Sequence, residues 1–329
     1  MITPRRKIFV TGGAGFIGSS FIRYWISRHP EDRLTNFDAL TYAGNPQNLK
    51  SVEDRPQYCF IKGDIIDFAL VRKAMRGTDI VVHFAAETHV DRSITGPSIF
   101  SRTNTLGVQT MLEAAREVGV KKFIHISTDE VFGSLKINDK KKFKESTPYA
   151  PSSPYAASKA GGDMLVQSYC KTYNFPGIIT HCGNNFGPYQ YPEKFIPLMI
   201  INALQGKALP IYGDGRYIRD WIYVEDHVRA IEAVVEKGRI GESYCIGGEP
   251  KMNLEVARTI LKILGKGKDL LKFVKDRPGH DRKYVLDSAK IKRDLKWRPR
   301  HTFEEGLGDT IEWYQKNRVW WQALMNKNY

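Results

Sequence analysis

The 329-residue chain has only four cysteines, and their spacing matches neither a zinc site nor a disulfide framework. Cys59, Cys170, Cys182 and Cys245 are expected to be small buried hydrophobic residues in a reducing compartment. No apolar run approaches the roughly twenty residues that a membrane span needs. The basic N-terminus runs into glycines instead of a signal-peptide core. These absences predict a cytoplasmic protein with no structural metal site and no membrane partner.

The chain also lacks an acidic surplus, since 50 Lys and Arg residues outnumber 36 Asp and Glu residues and give a net charge of +14. That sign suits an acidic partner, either nucleic acid or a small phosphorylated substrate. The densest basic run, at 135–146, has one aromatic residue, Phe143, and is interrupted by Asn, Asp, Glu and Ser. We interpret this run as a solvated loop and expect no nucleic-acid partner.

Short apolar runs alternate strictly with amphipathic stretches in the first half of the chain. Strands are predicted at 7–12, 34–38, 59–64, 79–86, 122–128 and 177–182. Helices are predicted at 16–30, 67–77, 103–119 and 155–173. This alternation indicates an α/β fold with a doubly wound parallel sheet.

The character of the sequence changes after about residue 185, where proline, tyrosine and charge become more frequent and the apolar runs become shorter. We therefore predict a dinucleotide-binding unit at 1–185. The remainder, 186–329, is expected to be a smaller, mainly substrate-binding part that is interleaved with the sheet. Its last stretch, 303–325, is predicted to be an amphipathic helix with a packing role.

A glycine-rich turn lies between the first predicted strand and the first predicted helix. Gly12, Gly15 and Gly18 have the spacing G-x-x-G-x-x-G, which permits a tight turn and brings a helix N-terminus close to a pyrophosphate. Asp38 closes the second predicted strand, where a carboxylate binds an adenosine ribose and repels a 2′-phosphate. Together these features predict NAD as the cofactor. Asp64, after the third strand, either holds the adenine or caps the next helix.

Tyr155 and Lys159 lie four residues apart on one face of a predicted helix. An ammonium group one turn away favours a phenolate, so we expect Lys159 to lower the pKa of Tyr155. The fifth predicted strand ends at Thr128, and two carboxylates, Asp129 and Glu130, follow directly. In a partly dry site such a pair keeps one carboxyl protonated, although spacing does not say which. The alternative is an acidic pair at a helix N-terminus, which the helix dipole favours.

This arrangement resembles the short-chain dehydrogenase/reductase superfamily, whose extended branch acts on nucleotide sugars and has the same glycine spacing. Nearly end to end, the chain is similar to the nucleoside-diphosphate-glucose 4,6-dehydratases, notably in the segments TGGAGFIGS, STDEVFG, SPYAASKA and NNFGPYQYPEKFIP. The resemblance implies a Rossmann fold, bound NAD and a homodimer built by the helices at 103–119 and 155–173. It implies a nucleoside diphosphate glucose as substrate, by default dTDP-glucose, with UDP- or CDP-glucose left open.

The resemblance also implies the chemistry. Tyr155, supported by Lys159 and Thr128, is expected to take the proton of the sugar 4-hydroxyl as C4 is oxidised. Glu130 is then expected to remove the C5 proton while Asp129 protonates the departing 6-hydroxyl, which gives a 4-keto-6-deoxy sugar nucleotide. One alternative is a nucleotide-sugar 4-epimerase, whose family lacks the acidic pair. The other is a non-catalytic dinucleotide-sensing or RNA-associated protein, against which the intact tyrosine, lysine and threonine set argues.

Further contacts follow from the resemblance alone. Those with the cofactor are expected at Gly12, Gly15, Phe16, Ile17, Gly18, Asp38, Ala39, Leu40, Thr41, Asp64, Ile65, Ala85, Ala86, Thr103, Tyr155, Lys159 and Asn185. Those with the substrate are expected at Thr88, Thr128, Asn184, Lys194, Phe195, Pro210, Tyr212, Arg219, Asn253, Arg277 and His280. The chain departs from the family at Gly183, where serine is usual, and at Phe132, where tyrosine is common. Neither departure removes a catalytic group.

Overall fold

A computed structural model describes residues 6–276 and 279–325. Its strands are β1 (Lys7–Thr11), β2 (Arg33–Asp38), β3 (Tyr58–Lys62), β4 (Ile80–His83), β5 (Lys122–Thr128), β6 (Gly177–Cys182), β7 (Asn184–Phe186), β8 (Leu209–Tyr212), β9 (Ile218–Tyr223), β10 (Ser243–Ile246), β11 (Glu249–Met252) and β12 (Leu271–Val274). Its α-helices are α1 (Phe16–Arg28), α2 (Phe68–Ala74), α3 (Val90–Thr95), α4 (Pro97–Ser101), α5 (Gly107–Val118), α6 (Pro154–Tyr173), α7 (Phe195–Leu204), α8 (Val224–Lys237), α9 (Asn253–Ile263), α10 (Ala289–Asp294), α11 (Phe303–Lys316) and α12 (Arg318–Met325). Short helical turns span Pro46–Leu49, Arg102–Leu106, Asp129–Phe132 and Lys268–Leu270.

Seven strands form one sheet in the order β10-β6-β5-β4-β1-β2-β3. Every neighbouring pair is parallel. The order reverses between β1 and β4, and such a switch point opens a crevice at the carboxyl ends of the strands. The predicted doubly wound parallel sheet is therefore confirmed.

Apolar side chains cover both faces of this sheet. In β5, Phe123 packs on one face with α2, α5 and α6, whereas Ile124 and Ile126 pack on the other face with α1 and α8. This alternation follows from the two-residue period of a strand. Both faces are thus dry, and the polar ends of the strands are left to form a site.

The sequence did not predict the seventh strand, β10, which comes from beyond residue 185. It pairs in parallel with β6 and places Ile246 opposite Cys182. Four residues are too few for a strand to show a clear period. The second half of the chain therefore contributes to the sheet itself.

The rest of the second half forms a smaller lobe with its own apolar cluster. A three-stranded sheet in the order β11-β9-β7 and a β12-β8 pair pack with α7, α9 and α11. The single helix predicted at 303–325 is wrong, because the backbone leaves the helical region at Asn317 and a separate helix, α12, follows. The helix predicted at 103–119 is also divided, since a π-helical turn at Arg102–Leu106 precedes α5. Among the described residues, every helix is too short or too polar to cross a membrane.

Candidate active site

A cavity of about 380 Å³ opens where β1 to β6 end. Ligands bind at this edge of doubly wound sheets because the strand ends and helix N-termini meet there. The predicted site residues that line it are Gly12, Gly15, Phe16, Ile17, Gly18, Asp38, Ala39, Thr41, Asp64, Ile65, Ala85, Ala86, Thr88, Thr103, Thr128, Asp129, Glu130, Tyr155, Lys159, Asn184, Asn185 and Lys194. The structure therefore brings the cofactor motif and the catalytic motif into one cavity.

At one end of the cavity the glycine-rich turn has no room for side chains. Gly12 has a φ of +67°, and a Cβ there would lie 2.7 Å from the backbone nitrogen of Ala85. A Cβ at Gly18 would lie 2.3 Å from the backbone oxygen of Gly12. The turn therefore leaves the N-terminus of α1 accessible to a ligand, and this end of a helix favours a pyrophosphate.

Asp38 stands beside this turn at the end of β2. Its Oδ2 accepts a hydrogen bond from the Ala14 amide at 2.9 Å, and its Oδ1 accepts one from the Leu40 amide at 2.8 Å. Burial raises the pKa of Asp38, and these two hydrogen bonds oppose that rise. A fixed carboxylate beside a bare glycine turn fits the adenosine ribose of NAD and disfavours a 2′-phosphate.

Asp64 lines the cavity and does not cap the helix that follows it. Its Oδ1 accepts only from the neighbouring Ile66 amide, at 3.2 Å, whereas Asp67 caps α2 by accepting from the Leu70 amide. The capping alternative for Asp64 is therefore wrong. Its predicted contact with the adenine stays a prediction.

Tyr155 and Lys159 lie in the first turns of α6, which Ser153 caps by accepting from the Ala156 amide. Both side chains are buried, and the Lys159 ammonium donates to the backbone oxygen of Ile126 at 2.7 Å. Burial, reinforced by the charge of Glu130, raises the pKa of Tyr155 well above its ordinary value. The expected lowering by Lys159 is therefore wrong for the protein by itself, because burial dominates and a backbone carbonyl holds the ammonium.

A tight turn follows Thr128 and directs both carboxylates into the cavity. Thr128 caps the short helical turn Asp129–Phe132 by accepting from the Glu130 amide at 3.3 Å. In a continued strand, neighbouring side chains would point to opposite faces. The turn removes that obstacle, and both Asp129 and Glu130 line the cavity.

The two carboxylates have different surroundings. Asp129 is 2% exposed, whereas Glu130 is half-buried. Burial raises the pKa of Asp129 well above its ordinary value, and the charges of Glu130 and Asp220 add to that effect. Burial therefore favours the protonated form of Asp129, which suits it to the acid role that spacing alone left unassigned.

Behind Lys159 lies a polar group that the sequence analysis missed, which we call the Asp163 cluster: Ser127, His125, His181 and Asp163. The hydroxyl of Ser127 donates to Oδ2 of Asp163 at 2.7 Å, and the Nε2 atoms of His125 and His181 lie 3.2 Å from the carboxylate. Burial would raise the pKa of Asp163, but the two histidines outweigh it and hold the pKa well below its ordinary value. Burial lowers the pKa of Lys159, and the charge of Asp163 opposes this.

Some predicted substrate contacts form a second group outside the cavity wall. The ring of Tyr217 stacks on His280 with the centroids 3.7 Å apart, and Tyr212 contacts the edge of His280. Arg219 is buried with its guanidinium 4.4 Å from the ring of Tyr284. Predicted residues that do not line the cavity are Leu40, Phe195, Pro210, Tyr212, Arg219, Asn253 and His280. Arg277 lies outside the described residues.

Arg219 and Asp220 are adjacent in the chain, but both are buried and they do not form a surface ion pair. Its Nη2 donates to the backbone oxygen of Asp281, while Asp220 accepts from the backbone amides of Gly248 and Leu286. Lys194 is also positioned by backbone, since its Nζ donates to the Thr88 oxygen at 3.1 Å. Side-chain oxygens that are buried without a hydrogen-bond partner among the described residues include those of Asn184 and Asn253.

The last helix contributes to the cavity, although its sequence predicted only a packing role. Trp320 and Leu324 of α12 line the wall, and Nε1 of Trp320 donates to Oδ1 of Asn48 at 3.0 Å. Asn48 in turn donates from Nδ2 to the backbone oxygen of Ala14, in the glycine-rich turn. Other lining residues absent from the sequence-based set include Tyr42, Asn45, Glu87, Tyr189, Gln190 and Tyr191. The contact between α12 and Asn48 joins segments far apart in the chain, so no local motif marks it.

The two departures from the family pattern have simple structural settings. A Cβ at Gly183 would lie 2.4 Å from the backbone oxygen of Asp220, so this backbone leaves no room for a side chain. Phe132 is buried against Phe143 and His181 and does not line the cavity. In residues 6–276 and 279–325, no group of three or more His, Cys, Asp and Glu side chains is arranged to hold a metal.

The chain is similar to known proteins over nearly its whole length. Residues 9–310 match the family model described as GDP-mannose 4,6 dehydratase. A dTDP-glucose 4,6-dehydratase of Neisseria meningitidis serogroup B (strain MC58) is 50% identical and spans 98% of this chain and 97% of its own. One of Escherichia coli is 47% identical, with coverage of 98% and 97%.

Solved structures are also similar to this chain. DesIV, a dTDP-glucose 4,6-dehydratase from Streptomyces venezuelae with NAD and TYD bound, superimposes with a TM-score of 0.94 at 48% identity, covering 97% of this chain and 99% of its own. A UDP-glucose 4-epimerase of Thermotoga maritima with UDP-glucose has a TM-score of 0.88 at 30% identity, covering 95% and 99%. The fold is thus shared by dehydratases and epimerases, and the dehydratase is the more similar of these two.

Proposed function

This chain belongs to the GDP-mannose 4,6 dehydratase family, and we propose that it removes water from dTDP-glucose with NAD as its cofactor. The product is the 4-keto-6-deoxy sugar nucleotide. The observation that carries this function is the pair Asp129 and Glu130 in the same cavity as Tyr155 and the glycine-rich turn. Relatives that share about half of the sequence are named dTDP-glucose 4,6-dehydratase, and DesIV holds NAD and TYD.

When bound, NAD takes up the C4 hydrogen of the sugar with its electron pair and returns it at C6. In its phenolate form, which the positive charge of bound NAD would favour, Tyr155 accepts the proton of the 4-hydroxyl, and the new ketone makes the C5 proton acidic. Glu130 removes the C5 proton and Asp129 donates its proton to the departing 6-hydroxyl, so water leaves. Asp129 suits the acid role because it is the buried, protonated carboxyl of the pair.

The remaining site residues hold the two ligands. The glycine-rich turn and Asp38 would bind the pyrophosphate and the adenosine ribose of NAD. On the substrate side, Arg219 and Lys194 supply positive charge for the diphosphate, and both are positioned by backbone carbonyls. Tyr212, which is 39% exposed and contacts the edge of His280, offers an aromatic ring to the nucleoside.

Incubation of the purified protein with dTDP-, UDP- and CDP-glucose, followed by mass spectrometry of the nucleotide sugar, tests this function. We expect dTDP-glucose to lose one water. Glu130→Gln should abolish that loss, while Glu304→Gln, an exposed substitution on α11, should not change it. Conversion of UDP-glucose with no change in mass would instead indicate epimerisation and contradict the proposal.

We also propose a homodimer and a cytoplasmic location. Leu106 and Met164 leave 51% and 56% of their surfaces exposed on the segments predicted to form the interface, and Tyr173 on the second segment is exposed as well. An apolar face of this kind suits contact with a second copy. Sedimentation should give twice the mass of one chain. In Met164→Glu the measured mass should fall to that of a single chain. Val319→Glu, at an exposed apolar residue on α12, is the control. A monomeric wild type would refute the dimer.

A further inference from the structure

The proposed dehydration leaves one proton in the wrong place after each turnover. The hydrogen taken from C4 returns at C6, and the proton that Glu130 takes from C5 returns to C5. Tyr155, however, has gained the proton of the 4-hydroxyl, and Asp129 has lost the proton that left in water. A proton must therefore move from Tyr155 to Asp129 before the next sugar can react. This requirement rests on the proposed function.

Exchange with bulk water is a poor route for that proton. Tyr155 is 7% exposed and Asp129 is 2% exposed, so both lie in a largely dry part of the cavity. Burial raises the pKa of each group, which means that the charged form of each is costly there. A direct transfer creates no additional charge in the site, whereas two separate exchanges with solvent do.

Thr128 connects the two groups. Its hydroxyl donates to Oδ1 of Asp129 at 3.3 Å. The same hydroxyl shares the cavity with the Tyr155 phenol and favours its phenolate form. The amide of Glu130 donates to the same Oγ1 at 3.3 Å and fixes its position. A hydroxyl has one donor and two acceptor sites, so Thr128 can accept from Tyr155 while it donates to Asp129.

We propose that Thr128 is the proton relay that resets the enzyme after each turnover. The O–H bond of Tyr155 breaks as an O–H bond forms at Oγ1 of Thr128, and the original O–H bond of Thr128 breaks as one forms at Oδ1 of Asp129. The negative charge moves from the carboxylate to the phenolate, and Thr128 is unchanged. No oxidant, reductant or further reactant takes part. The charge of Glu130 favours the protonated form of both groups, and the charge of Asp220 further favours the proton on Asp129.

The rate of the first turnover, compared with the rate of later turnovers, distinguishes a relay role of Thr128 from its support of Tyr155 during oxidation. NAD-loaded enzyme, equilibrated in buffer so that Asp129 is protonated, is mixed with excess dTDP-glucose and quenched for mass spectrometry. Thr128→Val removes the hydroxyl and keeps the shape of the side chain, whereas Thr128→Ser keeps the hydroxyl and is the matched control. Thr128→Ala provides a second variant without the hydroxyl if the valine disturbs the cap of the turn. Bound NAD, measured by its absorbance, confirms that each variant is folded.

The expected result is a burst of about one product per site in Thr128→Val. Its later turnovers should be slower by about a hundredfold, the low end of what a positioned proton transfer contributes. The wild type and Thr128→Ser should show no burst. If the variants without the hydroxyl slow the first and later turnovers by the same factor, Thr128 serves only the oxidation step and the relay is refuted. Failure of the wild type to release water from dTDP-glucose would instead refute the function, so the two failures are distinct.

Discussion

Replacement of Asp163 by asparagine should destabilise the protein and shift its activity profile, because the carboxylate is the only acidic member of the Asp163 cluster. The side chain is fully buried, and three groups of the cluster, Ser127, His125 and His181, contact it. Asparagine keeps the shape but loses the charge and one acceptor. Loss of a buried hydrogen bond to a charged group costs about 1.5–3 kcal/mol. We expect a decrease of that size in the free energy of unfolding at pH 7.

The pH dependence of that decrease has a definite sign. The pKa of Asp163 is held below its ordinary value in the folded protein, so its charge stabilises the fold at every pH above the ordinary pKa of an aspartate. That contribution disappears as the pH falls through the lowered pKa. The difference between wild type and Asp163→Asn should therefore be constant near neutrality and shrink below about pH 4.

The same substitution should act on catalysis through Lys159. The charge of Asp163 opposes the lowering of the Lys159 pKa by burial, so its removal lowers that pKa further. Activity that needs the ammonium should then be lost at a lower alkaline pH than in the wild type. A merely structural role would not move this limb of the profile.

Urea unfolding at several pH values and kcat/KM against pH measure the two effects. Asp309→Asn, an exposed change on α11, is the control and should alter neither. A loss of less than about 1 kcal/mol, the usual range of a surface charge, would refute the buried-charge argument. An unmoved alkaline limb would separately refute the link to Lys159.

Other substitutions test other parts of the cavity. Asp129→Asn should still oxidise the sugar at C4, seen as NADH absorbance, but lose about 100-fold or more in water release; product formation at the wild-type rate would refute the acid assignment. Trp320→Ala removes a wall and a hydrogen bond near the glycine-rich turn, so NAD should dissociate faster in a chase with labelled NAD, with Trp320→Phe intermediate; equal retention in all three proteins would exclude a role for α12. Gly18→Ala places a Cβ 2.3 Å from backbone and should weaken NAD binding in a titration, whereas Gly308→Ala meets no atom within 4 Å and should not.

Much of the sheet could be predicted from the sequence because its first six strands are short apolar runs, most of them separated by clearly periodic helices. The seventh strand, β10, could not, since Ser243–Ile246 is too short to show a period. The break at Asn317 was missed for a related reason: the apolar spacing continues across it, and only the backbone angles reveal two helices. Local pattern therefore predicts elements that are long and regular, and it fails where tertiary pairing or a single residue decides.

Part of the candidate site could likewise be predicted from the sequence, and part could not. The types and positions of Thr128, Tyr155 and Lys159 could be predicted because they follow one strand and begin one helix. Their electrostatics could not be predicted from the sequence. The pKa of Tyr155 depends on burial, and the Lys159 ammonium donates to the backbone oxygen of Ile126. Asp163 could have been found, since it lies one helical turn beyond Lys159 on the same helix face.

The short turn after β5 explains how one fold supports two reactions. Oxidation at C4 requires the tyrosine, the lysine and NAD, and an epimerase of this fold needs the same groups. Elimination requires in addition a base at C5 and an acid at the 6-hydroxyl, and we propose that Glu130 and Asp129 supply them from adjacent positions. Adjacent carboxylates would ordinarily titrate alike, but the turn buries one and leaves the other half-exposed. The difference in burial, more than the presence of two acids, gives the pair opposite roles.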